Sequence, residues 1–223
     1  MGMDYYKILG FKKEPFSNSP DPELFYGARQ HTSCLQKLEL AIRLKRGLNV
    51  ILGEVGTGKT TLCRHLIRRF PESDGHELHL LLDPALGDRT AILTWLAQTI
   101  AGLDEVRGTD AELKEVIKSA LYEKAVDQEK MVVIIIDEGQ KLSEEFREIL
   151  RELLNYETKD KLLQIVIFAQ MEFEDELAGH RNFADRVNLF YKLGPLSFRD
   201  TRRMVRHRLK EAAMDYENPP TFD

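Results

Sequence analysis

One eight-residue loop, Gly53-Glu54-Val55-Gly56-Thr57-Gly58-Lys59-Thr60, constrains this chain more than any other stretch. It follows the short apolar run Leu48-Asn49-Val50-Ile51-Leu52. It precedes a stretch, Thr60 to Phe70, with Leu62, Cys63, Leu66 and Ile67 at helical spacing. Strand, glycine-rich loop and helix, in that order, let backbone N–H groups turn inward and cradle phosphate oxygens. The start of the helix aims roughly half a positive charge at the same anion. Lys59 is placed to reach terminal phosphates, and the Thr60 hydroxyl is placed to ligate Mg²⁺. The expectation is a triphosphate site, ATP with Mg²⁺. Its binding residues are Gly53, Glu54, Val55, Gly56, Thr57, Gly58, Lys59, Thr60 and Thr61.

The rest of the pattern suits that start. Met131-Val132-Val133-Ile134-Ile135-Ile136 has no polar residue, as in a strand buried on both faces. Leu78–Leu82, Leu162–Phe168 and Leu189–Leu193 read as further strands. Helical spacing predicts helices over 32–46, 89–101, 109–126, 143–156 and from Ser197 to about Met214, with Thr32 or Ser33 capping the first and Gly47 ending it. Strands that alternate with helices imply a five-stranded parallel sheet with helices on both faces, an α/β three-layer sandwich.

Asp137 and Glu138 end the most apolar strand, at the rim where open α/β sheets bind ligands. Asp137 is suited to hold Mg²⁺, and Glu138 to polarise an attacking water. Gln170, just past the fourth strand, is a candidate to hold that water or sense the terminal phosphate. Asn155 and Glu157 end a helix, where a cap-and-turn role and a functional one both stay open. Arg181 and Arg186 are candidates to stabilise transferring phosphate from across a subunit boundary. His76 and His79 lack a third ligand for a metal site.

Composition sets the outer limits. Of 223 residues, 43% are hydrophobic and 31% charged, as in a globular domain. The net charge of −5 gives no general attraction to nucleic acid, although Arg199, Arg202, Arg203, Arg206, Arg208 and Lys210 crowd the last helix. Nucleic acid is therefore not the expected partner. Cys34 and Cys63 lie in helical patterns without CxxC spacing and read as reduced core thiols. No apolar run reaches the roughly 20 residues of a membrane span.

Several stretches together resemble the AAA+ ATPases: Gly53 to Thr61, Ile134-Ile135-Ile136-Asp137-Glu138-Gly139-Gln140, Asn155-Tyr156-Glu157-Thr158 and Leu163 to Gln170. Tyr6-Lys7-Ile8-Leu9-Gly10-Phe11, Glu14-Pro15-Phe16-Ser17 and Pro20-Asp21-Pro22 are similar to the N-terminal segment of the general secretion pathway protein A (ExeA-like) group. The resemblance implies a cytoplasmic ATPase domain of an inner-membrane-associated bacterial protein. Such domains are usually joined to a membrane span and a periplasmic peptidoglycan-binding region. The group helps build the outer-membrane secretin of type II secretion with a partner protein, and relatives serve in pilus biogenesis. By the same resemblance Lys59, Thr60, Asp137, Glu138 and Gln170 take the roles above, and Arg186 is the better trans-acting arginine. It also implies an N-terminal arm over 1–31 that borders the adenine, an ATPase core over 32–196, and the start of a helical lid over 197–223. A homo-oligomer is expected once lid and remaining domains are present. The alternative is an ATP-dependent DNA-binding regulator of the transposition type, which shares the core.

Overall fold

The computed structural model describes residues 5–17, 22–71, 74–158 and 160–213. The stretch around Pro20 and Asp21, the expected helix end at Met214, and Pro219-Pro220 lie outside the described residues. Five strands form one sheet: β1 (Leu48–Gly53), β2 (His76–Leu81), β3 (Met131–Ile136), β4 (Leu163–Ala169) and β5 (Val187–Leu193). Their order across the sheet is β2-β3-β4-β1-β5, and every pairing is parallel. The expected five-stranded parallel sheet is what forms.

Side chains alternate between the sheet's faces, so each strand feeds two cores. On one face Ile51, Val133, Ile135, Val166 and Phe168 pack against α2 (Arg29–Arg43) and α3 (Lys59–Arg68). On the other, Val50, Leu52, Ile134, Ile136, Ile165 and Ile167 pack against α4 (Arg89–Ala101), α5 (Asp110–Tyr122) and α6 (Glu144–Leu153). Every residue of β1, β3 and β4 is buried, whereas β5 alternates between half-buried and exposed along its edge until the buried Leu193. Burial of each such aliphatic side chain is worth about 1.5–3 kcal/mol, which explains why the three apolar runs occupy the centre.

Several helix starts follow their local chemistry. Asp88 accepts from the Ala91 N–H to cap α4, Thr109 and Glu112 form a reciprocal capping box on α5, and Ser143 caps α6. α2 departs from expectation. It begins at Arg29, with no side-chain cap on Ala28, and Thr32 sits inside it, donating to the Gly27 carbonyl at 3.3 Å. It also ends before Gly47, because Lys45 already turns left-handed at φ 53°. The expected 109–126 helix is α5 followed by a π turn over Glu123–Asp127. β2 starts two residues early, at His76. Three short helices escape the sequence pattern: α1 (Tyr5–Ile8), α7 (Phe173–Gly179) and α8 (Arg181–Ala184). Phe173 and Leu177 are the only buried residues of α7, too few to show a period. The last helix, α9, spans Phe198–Ala212 and is capped by Ser197.

Cys34 and Cys63 are free and buried. Burial pushes the Cys34 thiol up to about 12 and raises Cys63 further.

Candidate functional site at the C-terminal rim of the sheet

The pairing register sets Leu52 of β1 beside Ala169 of β4, and Ile136 of β3 beside Ile167 of β4. The loops that leave β1, β3 and β4 therefore meet at one rim. β1 ends on Gly53, where a Cβ would lie 2.6 Å from Thr57 Oγ1, so a side chain does not fit. Gly56 and Gly58 hold φ of 81° and 89°, the left-handed region that glycine enters without strain. The Thr57 hydroxyl donates to the Glu54 carbonyl at 2.7 Å and closes the loop on itself.

Lys59 opens α3 beneath this loop. Its ammonium donates to the Gly53 carbonyl at 2.8 Å and to the Glu54 carbonyl at 3.0 Å, and the residue is buried. Burial draws its pKa below the ordinary lysine value, while the carboxylates of Glu138, Asp137, Glu54 and Glu172 act in the opposite direction. The Thr60 hydroxyl donates to Asp137 Oδ2 at 2.7 Å, which joins the loop to β3. Asp137 Oδ1 accepts from the Glu138 N–H at 3.0 Å. Lys59, Thr60, Asp137 and Glu138 are thus brought together.

Glu138 adopts a left-handed backbone, φ 53° and ψ 40°, a conformation that costs a non-glycine residue about 1–2 kcal/mol. Next to it a Cβ on Gly139 would lie 2.3 Å from Ile167 Cγ2, so the chain passes tightly over β4. Gln140 then folds back. Its side chain donates to Glu138 Oε2 at 2.6 Å and accepts from the Gln170 N–H at 3.1 Å. Gln170 is at the same rim, held there by its backbone.

A cavity of about 370 Å³ adjoins the phosphate loop. Phe25, Tyr26 and His31 line it from one side, and Pro195, Met204 and Arg208 from the other. His31 is buried in α2, and its Nε2 lies 2.8 Å from the Thr57 carbonyl, so that nitrogen carries the proton and donates to the loop. Phe25 packs edge-on against the His31 ring and lies over His65 of α3 at 4.1 Å between centroids.

The arginines are elsewhere. Arg186 precedes β5, whose first residue pairs with Leu48, the first residue of β1. A strand rises about 3.3 Å per residue, so about 20 Å of sheet separates Arg186 from its own phosphate loop. Asn155 and Glu157 lie between α6 and β4, also away from the loop, and Glu157 pairs with Lys161. Arg181 is exposed and lines a separate cleft of about 640 Å³ with Arg89, Arg147 and Arg151. Among the described residues no group of three His, Cys, Asp or Glu is placed to hold a metal.

Two residues at this rim have little or no signature in the sequence. Gln140 carries no spacing signal, because its partner Gln170 is distant in the chain. His31 carried a faint one: it occupies the buried stripe of α2 with Cys34, Leu35, Leu38 and Ile42, where a polar residue needs a partner.

The family model described as an AAA domain matches residues 42–177, which include the loop, the acidic pair and the end of β4. The chain belongs to the AAA domain family. This AAA domain is 34% identical over 214 residues to the General secretion pathway protein A of Aeromonas hydrophila. The match takes in 93% of this chain and 38% of that protein, so the chain spans well under half of the relative's length. In fold it resembles the ORC2 protein of Aeropyrum pernix solved as ADPNP–ADP complexes, with TM-score 0.63 and 16% identity over 90% of this chain and 56% of that one. It also resembles Cdc6p of Pyrobaculum aerophilum, with TM-score 0.65 and 17% identity over 87% and 52% of the two chains. These likenesses establish the architecture, a P-loop nucleotide-binding fold of the AAA+ type.

Proposed function

We propose that this AAA domain binds ATP with Mg²⁺ and hydrolyses it. The observation that carries the reading is the Thr60–Asp137 hydrogen bond at 2.7 Å, with Lys59 and Glu138 at the same rim. A hydroxyl and a carboxylate are hard oxygen donors, and Mg²⁺ takes one or two protein groups and completes its shell with water and phosphate oxygens. Thr60 and Asp137 would hold the ion, which when bound neutralises phosphate charge as it develops. The loop N–H groups bind and orient the phosphates. Lys59 gives its ammonium to them in place of the Gly53 and Glu54 carbonyls. Glu138 polarises and takes the proton of the attacking water, with Gln170 at hand to orient it. Phe25, Tyr26 and His31, with Pro195 and Met204 opposite, form the wall for the base. Arg186 serves a neighbouring copy, because its own site is across the sheet.

We infer the biological setting from the relative named for general secretion: assembly of a type II secretion or pilus apparatus, by a homo-oligomer with a membrane partner, at the cytoplasmic side of the inner membrane. Among the described residues no helix is long and apolar enough to cross a membrane, so that attachment would lie in another segment or partner. Glu138→Gln tests the chemistry. Its ATP affinity should match the parent while turnover falls by roughly 10²–10⁴. Equal turnover in both proteins would refute the assignment.

One observation favours a second reading, a DNA-binding regulator. Arg199, Arg202, Arg203, Arg206 and Lys210 recur at helical spacing on α9, all are exposed, and among the described residues no carboxylate pairs with them. ATP-dependent DNA binding that weakens steeply with salt, and is lost in Arg202→Glu/Arg206→Glu, would support it. Salt-insensitive or absent binding would remove it.

A further inference from the structure

We propose that Gln140 is a positioning residue that holds the Glu138 carboxylate and ties it to the end of β4. The proposal rests on the reading of Glu138 as the group that polarises water.

The network assigns the two ends of the Gln140 amide without ambiguity. The Gln170 backbone N–H can only donate, so the atom facing it at 3.1 Å is Oε1. Nε2 is then the atom at 2.6 Å from Glu138 Oε2, which can only accept when ionised. One rigid amide therefore spans the base and the strand end. It engages one carboxylate oxygen and leaves the other to take a proton.

The backbone around it permits little play. Glu138 is in the left-handed region, and residues 139–141 form a single tight turn. A Cβ on Gly139 would meet Ile167 Cγ2 at 2.3 Å and Ala169 Cβ at 3.1 Å, so this turn lies directly on β4. Gln140 and Gln170 are held in register by that contact. A glutamate side chain turns about three bonds, and nothing else in this loop bonds its carboxylate among the hydrogen bonds of the described residues. Glu138 follows Asp137, which accepts the Thr60 hydroxyl, so the held carboxylate belongs to the residue next to the contact that joins β3 to the phosphate loop. A shift of the β4 end would therefore reach the base through one amide. Gln170 takes part through its backbone N–H.

Gln140→Met keeps the length of the side chain and removes both hydrogen bonds. Its turnover should fall about tenfold, since small misplacements of a reacting group have effects of that order or larger. ATP affinity, by titration, should stay at the parent value. In a Glu138→Gln background the same change should slow residual turnover no further, because a residue that acts through Glu138 has nothing left to position. Gln140→Glu, equal in length but with an acceptor where the donor stands, should lose at least as much and covers the case in which the Met variant folds poorly. Unchanged or raised turnover in Gln140→Met overturns the proposal. So does a loss of ATP affinity in step with turnover, or a full added loss in the double variant, since either marks general damage. Normal turnover in Glu138→Gln alone would instead refute the role of the base.

Discussion

At the N-terminal rim of the sheet, Gln164 and Asn49 are fully buried, and their hydrogen bonds go to neighbouring backbone. Gln164 Oε1 accepts from the Gly47 N–H at 2.7 Å, and its Nε2 donates to the Leu163 carbonyl. At the C-terminal rim the polar side chains are arranged differently. Lys59 rests on the Gly53 and Glu54 carbonyls of the loop, Thr60 and Asp137 share one contact, and one oxygen of Glu138 is engaged by Gln140. Both rims contain buried polar groups. At one, both Gln164 amide ends and the Asn49 amide nitrogen bond fixed backbone groups and serve as fasteners, while Asn49 Oδ1 has no partner among the described residues. At the other, on the function proposed above, they exchange these partners for a ligand. Burial of a polar residue is thus no sign of function by itself; what matters is whether its partners are permanent.

The largest test of this contrast concerns Arg186, which is on the fastening rim yet is proposed to act at the other. Arg186→Ala should leave ATP affinity intact and lower turnover by roughly 10³ or more in oligomer-forming conditions, the size seen for such arginines. Mixing it with Lys59→Ala chains should restore part of the activity, since each supplies what the other lacks. Normal hydrolysis by Arg186→Ala alone would show that the rim serves structure only. Next in size, Lys59→Ala should weaken ATP binding about tenfold to a hundredfold, as expected for a charge-assisted contact. An unchanged titration would sink the phosphate role of that rim. Gln164→Leu should reverse the pattern. It leaves the Gly47 N–H unsatisfied, so the denaturation midpoint should correspond to a loss of about 1–3 kcal/mol, with ATP affinity of the folded protein unchanged. A loss of ATP binding without a loss of stability would break the contrast between the rims.

The smallest effect is one of pH. Burial disfavours the charged form of Lys59, so its pKa lies below that of an exposed lysine. The ammonium proposed to meet the phosphates is lost as pH rises through that lowered value. ATP affinity should therefore decline on the alkaline side earlier than for an ordinary lysine. Lys59→Arg, which stays charged, should flatten the decline even if its affinity is lower. The same alkaline slope in both would assign the effect to another group.

Some of this molecule is legible one segment at a time. Met131–Ile136 has no polar residue, so only a strand enclosed on both faces can hold it. The glycines of 53–58 followed by Lys59-Thr60 announce their own backbone and charge, and Asp137-Glu138 announces the end of a buried strand. The short helices 173–179 and 181–184 are too brief to show a period, and the start of α2 has no sequence signature because Ala28 offers no side-chain cap. Local chemistry determined the strands, the phosphate loop and the acidic pair, because each depends on neighbours in sequence. Tertiary structure decided the order β2-β3-β4-β1-β5, which carries Gly53, Asp137 and Gln170 to one rim and leaves Arg186 at the other. It also decided that Gln140 meets Gln170 and that His31 holds Thr57. Those pairings depend on which strands lie side by side and which helix packs beneath the loop. Packing of whole elements sets that, and no single segment encodes it.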